Sequence, residues 1–151
     1  MARLSVLRST LLILFVLLNA QVDAVFFRFT GKLNCPKTFF NYKIQMLEAD
    51  FSGGFSAEDM KVHEYVDSIL PHHYTIEAEY NKYDELGNKY YEVFLRIRHT
   101  CTDDGKYMTK DVLGEPGNGD KGYFHWNTHT YDMTQNIDLL NAEGDAKDAY
   151  R

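Results

Sequence analysis

Six histidines and two cysteines are the side chains in this sequence best equipped to hold a metal or to attack a substrate. His125 and His129 are four apart, a spacing that suits zinc on a helix. Their neighbours Trp126, Asn127, Thr128 and Thr130 favour a strand. There the two imidazoles would stand about 13 Å apart, too far to share one tetrahedral ion. His72 and His73 are adjacent and would point to opposite faces of a strand. No metal site and no cofactor is therefore expected. For catalysis, there is no Gly-x-Ser-x-Gly, no His-Glu-x-x-His and no phosphate-cradling glycine loop. With no nucleophile and base to bring together, no catalytic residue is assigned and no enzymatic activity is expected.

The chemistry open to Cys35 and Cys101 depends on where the protein resides. Arg3 and Arg8 give a positive start, Leu11 to Leu18 is an unbroken apolar run, and Val22-Asp23-Ala24 supplies small or β-branched residues before a cut. The run is shorter than the about 20 residues that a membrane span needs, and it has the length of a signal-peptide core. Cleavage is expected after Ala24, with Ala20 as the second choice. The chain then divides into a signal peptide (1–24), one domain (25–144) and a polar tail (145–151). No later apolar stretch is long enough to cross a bilayer. The expectation is a secreted, extracellular protein. In that oxidising setting two cysteines should bond to each other, Cys35 to Cys101, rather than serve as a thiol nucleophile.

Composition narrows the partners. Lys and Arg number 16 against 22 Asp and Glu, for a net charge of −6. An acidic chain argues against nucleic acid, which demands a basic surface. Aromatic residues make up 15% of the sequence, and Tyr and Phe favour strands. No Asn-x-Ser/Thr sequon occurs, so no N-glycan is expected.

The elements that must position these residues are mostly strands. Phe27, Phe29, Gly31, Leu33 and Cys35 alternate with polar neighbours. So do Phe40, Tyr42, Ile44 and Met46, and again Tyr74, Ile76, Ala78 and Tyr80. The longest run has Tyr91, Val93, Leu95, Ile97, His99 and Cys101 on one face. Both cysteines lie in phase with an apolar face, so a disulfide can join two strands through or beside the core. An all-β sandwich follows, with two sheets burying facing side chains. Residues 51–71 fit less well. Ser56 and Asp59 resemble a helix start, and Val62, Tyr65, Val66 and Ile69 fall at helical spacing before Pro71, yet Met60, Val62, Glu64 and Val66 also alternate. A short helical or irregular excursion is expected there. Residues 84–88 and 115–120 read as turn and loop, 122–130 as a strand, and 137–140 as a closing strand.

The outward face of the longest strand carries Tyr90, Phe94, Arg96 and Arg98. Aromatic residues with arginines are enriched at protein interfaces, which makes these four the candidate interaction surface, with Phe26 beside Arg28 as an extension. The competing reading has another element, such as 51–71, covering this face.

Three segments, Gly31-Lys32-Leu33-Asn34-Cys35, Ile97-Arg98-His99-Thr100-Cys101 and Asn136-Ile137-Asp138-Leu139-Leu140-Asn141-Ala142-Glu143-Gly144, resemble in content and order the nematode transthyretin-like family of small secreted proteins. Residues 51–71 depart from its pattern. The resemblance implies a transthyretin-type, immunoglobulin-like β-sandwich with one disulfide, exported from the cell and without established enzymatic activity. It further implies a binding or adaptor role towards an extracellular protein or cell-surface partner, or else the carriage of a small hydrophobic ligand.

Overall fold

A computed structural model describes residues 24–50, 56–81, 89–115 and 122–142, with only the backbone of Asp50. The expected signal peptide (1–24, all but residue 24), the turn expected at 84–88, all but the first residue of the loop expected at 115–120 and the polar tail (145–151) lie outside these residues. The described chain forms nine strands: β1 (Val25–Asn34), β2 (Phe39–Asp50), β3 (Ser56–Ile69), β4 (His73–Tyr80), β5 (Tyr90–His99), β6 (Met108–Leu113), β7 (Tyr123–His125), β8 (Thr130–Thr134) and β9 (Ile137–Asp138). They make two sheets. The first runs β4-β1-β8, with β9 pairing the end of β1, and the second runs β3-β2-β5-β6, with β7 pairing the start of β5. The pairing is antiparallel except where β1 meets β8 and β9.

Period-two alternation explains this arrangement. In β4 every second residue is buried, and Tyr74, Ile76, Ala78 and Tyr80 all face the second sheet. From β1 come Phe27, Phe29 and Leu33; from across the core come Phe40, Tyr42, Ile44, Met46, Val93, Leu95 and Ile97. Aromatic edges and faces fill the space between. Phe27 meets Phe124 at 5.4 Å between ring centroids and Phe124 meets Tyr131 at 4.9 Å, both nearly perpendicular. Gly114 lies so close beneath them that a Cβ there would fall 2.5 Å from the Phe124 ring and 2.9 Å from Phe29.

Cys35 follows β1 directly and Cys101 lies just beyond β5, so their disulfide ties one sheet to the other. The Cα atoms are 6.1 Å apart and the closed loop spans a sequence separation of 66. Closing a loop of that size in the unfolded chain is worth about 4 kcal/mol in the chain-entropy account. A second fastening sits beside it. The buried His72 ring bonds the Lys37 carbonyl through Nε2 (2.8 Å) and the Ser68 hydroxyl through Nδ1 (2.9 Å). A carbonyl can only accept, so Nε2 carries the proton and Nδ1 accepts from Ser68. His72 holds φ at 58°, a value unusual outside glycine, with its carbonyl accepting from the Leu33 amide. His73, its neighbour, is exposed.

Two expectations are corrected. Residues 56–69 form neither a helix nor an irregular excursion but the long strand β3, paired with β2 along its length. The register shifts twice, between Tyr42 and Ile44 and between Met46 and Leu47, and each shift places one additional residue on β3. Each bulge reverses which side chains point inward, so neither a period of 2 nor one of 3.6 runs through the segment. Residues 122–130 are not one strand either. β7 belongs to the second sheet and β8 to the first, and the chain crosses between them in a turn at 126–129. The Trp126 amide bonds the Lys89 carbonyl and the Thr128 amide bonds the His125 carbonyl. The closing strand is the two-residue β9, extended by a bond from the Leu139 amide to the Asn34 carbonyl.

Candidate interaction surface

The histidines do not converge. His125 and His129 sit on opposite sides of the turn, and no group of three metal-ligating side chains occurs among the described residues. No helix among them is long and apolar enough to cross a membrane. His99 is the buried ionisable group that stands out. It points inward from β5, and neither ring nitrogen has a hydrogen-bond partner. Burial holds its pKa below the usual imidazole value, and the charge of Lys110 adds to this. The Ala142 main chain pulls the other way without closing a hydrogen bond of good geometry.

The candidate surface is the outer face of the second sheet. Register places Phe39, Asn41, Lys43, Gln45, Leu47 and Ala49 of β2 on this side, beside Phe94, Arg96 and Arg98 of β5. The four residues singled out in β5 do not form one patch. Phe94 is fully buried, in a cluster with Leu47, Ala49, Ala57 and Leu113. Arg96 lies over the Phe94 ring at 5.5 Å and grips Asp111, its cross-strand partner, in a two-pronged hydrogen bond of 2.8 and 2.7 Å. These two make the middle of the face structural. Tyr90 lies beyond one end, with Tyr123 and His125 edge-on to it and Trp126 stacked on His125. Arg98 lies at the other end and is exposed. Phe26 and Arg28 belong to the first sheet, so they occupy the opposite side of the molecule and do not extend this surface.

At the Arg98 end two tyrosines meet over the guanidinium. Its carbon lies 4.8 Å from the Tyr107 ring centre and 5.9 Å from that of Tyr65, and the two rings touch edge to face at 5.4 Å. Both rings come from other elements. Tyr65 belongs to β3. Tyr107 leaves a turn in which the Thr102 hydroxyl bonds the Lys106 carbonyl, the Lys106 amide bonds Asp104, and Gly105 takes φ of 73°. The side-chain hydrogen bond from Lys106 holds the Asp104 carboxyl down to about 2. The Tyr107 hydroxyl donates to the Asn41 amide oxygen at 2.9 Å, and the Asn41 nitrogen donates onward to Val66 and Asp67. Next along the same face, the cross-strand pair Phe39 and Ile69 is 54% and 69% exposed, and Leu70 is 61% exposed. Large apolar side chains left that open, separated from the rings and the arginine by the Asn41–Asp67 pair, give this end of the face the aromatic and apolar character that marks interaction sites.

Tyr65, Tyr107, Phe39 and Ile69 were not singled out from the sequence. Phe39 was within reach, because Phe40 and Tyr42 point inward and Phe39 must therefore point out. Tyr65 was hidden by the bulges of β3. Comparisons with known protein families, curated proteins and solved structures give no match to this chain.

Proposed function

We propose that this chain is a secreted, non-enzymatic binding or adaptor protein of the transthyretin-like class, which engages an extracellular protein or a cell-surface partner. The observation that carries the reading is the exposed group of Phe39, Ile69, Tyr65, Tyr107 and Arg98 on the second sheet. A sandwich cross-tied by Cys35–Cys101 is a rigid mount for such a group, and rigid aromatic anchors with arginine are the usual carriers of binding energy at interfaces. The test is capture of partners from extracellular fluid and intact cells by the oxidised protein, compared with two variants. The double substitution Phe39→Ser, Ile69→Ser is expected to abolish capture, and Arg28→Glu on the first sheet to leave it intact. The opposite pattern, or capture indifferent to both variants, defeats the proposal.

A further inference from the structure

Charge pairing separates Arg98 from the other two arginines among the described residues. Arg28 engages Glu77 and Asp132, Arg96 engages Asp111, Lys43 engages Glu64 and Lys106 engages Asp104. Arg98 is exposed and meets no carboxylate among the described residues, although the chain carries 22 acidic side chains. Of the acids near it on this face, Glu64 is engaged by Lys43, the cross-strand partner of Arg98, and Asp67 accepts from Asn41. Around Arg98 the structure provides rings, not counter-ions. A guanidinium over two tyrosine rings is held in place without having its hydrogen-bonding fork filled by a carboxylate of the described residues. Tyr107 is itself anchored through Asn41, so the rings do not have to be ordered when a partner arrives.

We infer that Arg98 is the specificity-determining cation of the proposed binding face, and that the partner is a protein segment presenting an Asp or Glu carboxylate next to an apolar side chain. The carboxylate takes the free N–H edge of Arg98 in a two-pronged hydrogen bond, and the apolar side chain lies on Phe39, Ile69 and Leu70. Charge complementarity selects this occupant. An acidic molecule repels acidic partners over most of its surface, so an unpaired arginine at an apolar patch marks the place where a carboxylate is accepted. The inference rests on the proposed binding role and names the chemistry of the partner.

The experiment follows the Arg98 side-chain Nε–H signal and the backbone amides by NMR in the isotope-labelled, oxidised full chain. The two probes are blocked hexapeptides, one alternating Glu with Leu and Phe and the other alternating Lys with Leu and Phe. The glutamate peptide is expected to shift the Arg98 Nε–H signal and the amides of residues 39, 65, 69 and 107. The lysine peptide should bind at least tenfold more weakly. Arg98→Gln should weaken the glutamate peptide by about tenfold, as loss of a charge-assisted hydrogen bond requires. Arg98→Lys should restore part of the affinity, because it returns the charge but not the fork. Arg28→Gln should change nothing, and unchanged thermal unfolding of Arg98→Gln will show that the variant is folded. Equal shifts from both peptides, or affinity untouched in Arg98→Gln, overturn the carboxylate inference and leave an apolar binding face standing. Shifts centred on the first sheet, or no response to either peptide at millimolar concentration, overturn the inference together with the binding face.

Discussion

The two outer faces of this sandwich are made by the same alternation and serve opposite ends. On the first sheet the outward residues are Arg28, Thr30, Thr75, Glu77, Asp132 and Thr134. Arg28 reaches Glu77 and Asp132, and the Thr30 hydroxyl lies 3.4 Å from that of Thr134. The arginine of this face is spent within it, while Phe26, Lys32 and Glu79 also point outward. On the second sheet the middle is sealed by Phe94 and the Arg96–Asp111 fork, while the Arg98 end leaves rings, aliphatic side chains and a cation open to solvent. The lesson is that a solvated face and the proposed binding face differ less in polarity than in whether an exposed arginine already has a partner.

That contrast can be broken by experiment. The largest effect is expected from removing the tie that both faces depend on: the double change Cys35→Ala, Cys101→Ala should cost about 4 kcal/mol of folding free energy, read from urea unfolding. Next is Phe94→Ser. It lies on the outward side of β5 yet is fully buried, so it should lose about 3 kcal/mol or more, as for a core phenylalanine. A small change in the unfolding midpoint would return Phe94 to the surface. The ion pairs give a sharper comparison. Asp111→Ala removes the partner of a partly buried fork and should cost about 1.5 kcal/mol, with the exposure of Arg96 limiting the figure. Arg28→Ala breaks exposed pairs and should cost about 0.5 kcal/mol or less.

A slighter effect, gated by pH, comes from the inner side of the second sheet. The folded protein holds the pKa of His99 below the ordinary value of about 6.5. Well above that pH the imidazole is neutral in both states and contributes no pH dependence. As the pH falls through the ordinary value, the unfolded chain takes up a proton that the folded one refuses. Stability therefore declines until the lower, folded pKa is passed. The urea midpoint should drop between pH 7.5 and 5, and the drop should be smaller in His99→Phe. An equal drop in that variant would remove His99 as the cause.

Much of the fold was legible because the inward apolar residues of β1, β4 and β5 keep strict phase. The disulfide was expected from a single pair of cysteines in a chain read as exported, and their phase with the inward faces agreed with it. The limits have physical causes. β6 (Met108–Leu113) carries Lys110 and Asp111 at an edge and shows no alternation of apolar residues. β3 changes phase twice. The outward position of Phe94 was readable, but its burial depends on Leu47, Ala49 and Leu113, which come together only once the strands are paired. Arg98 could be placed on the outside from β5 alone. Its tyrosines arrive from a bulged strand and from a turn, and no spacing within a single segment announces them.

The irregularity of β3 also bears on solubility. It is an outermost strand, and such strands tempt other chains to continue the ladder. Its added residues spoil the even spacing that an incoming strand would have to match. Exposed Glu58, Asp59, Lys61, Glu64 and Asp67 make the approach still less welcome. A sandwich with this rim can leave an oily patch open at one end of the sheet without seeding fibrils along its margin.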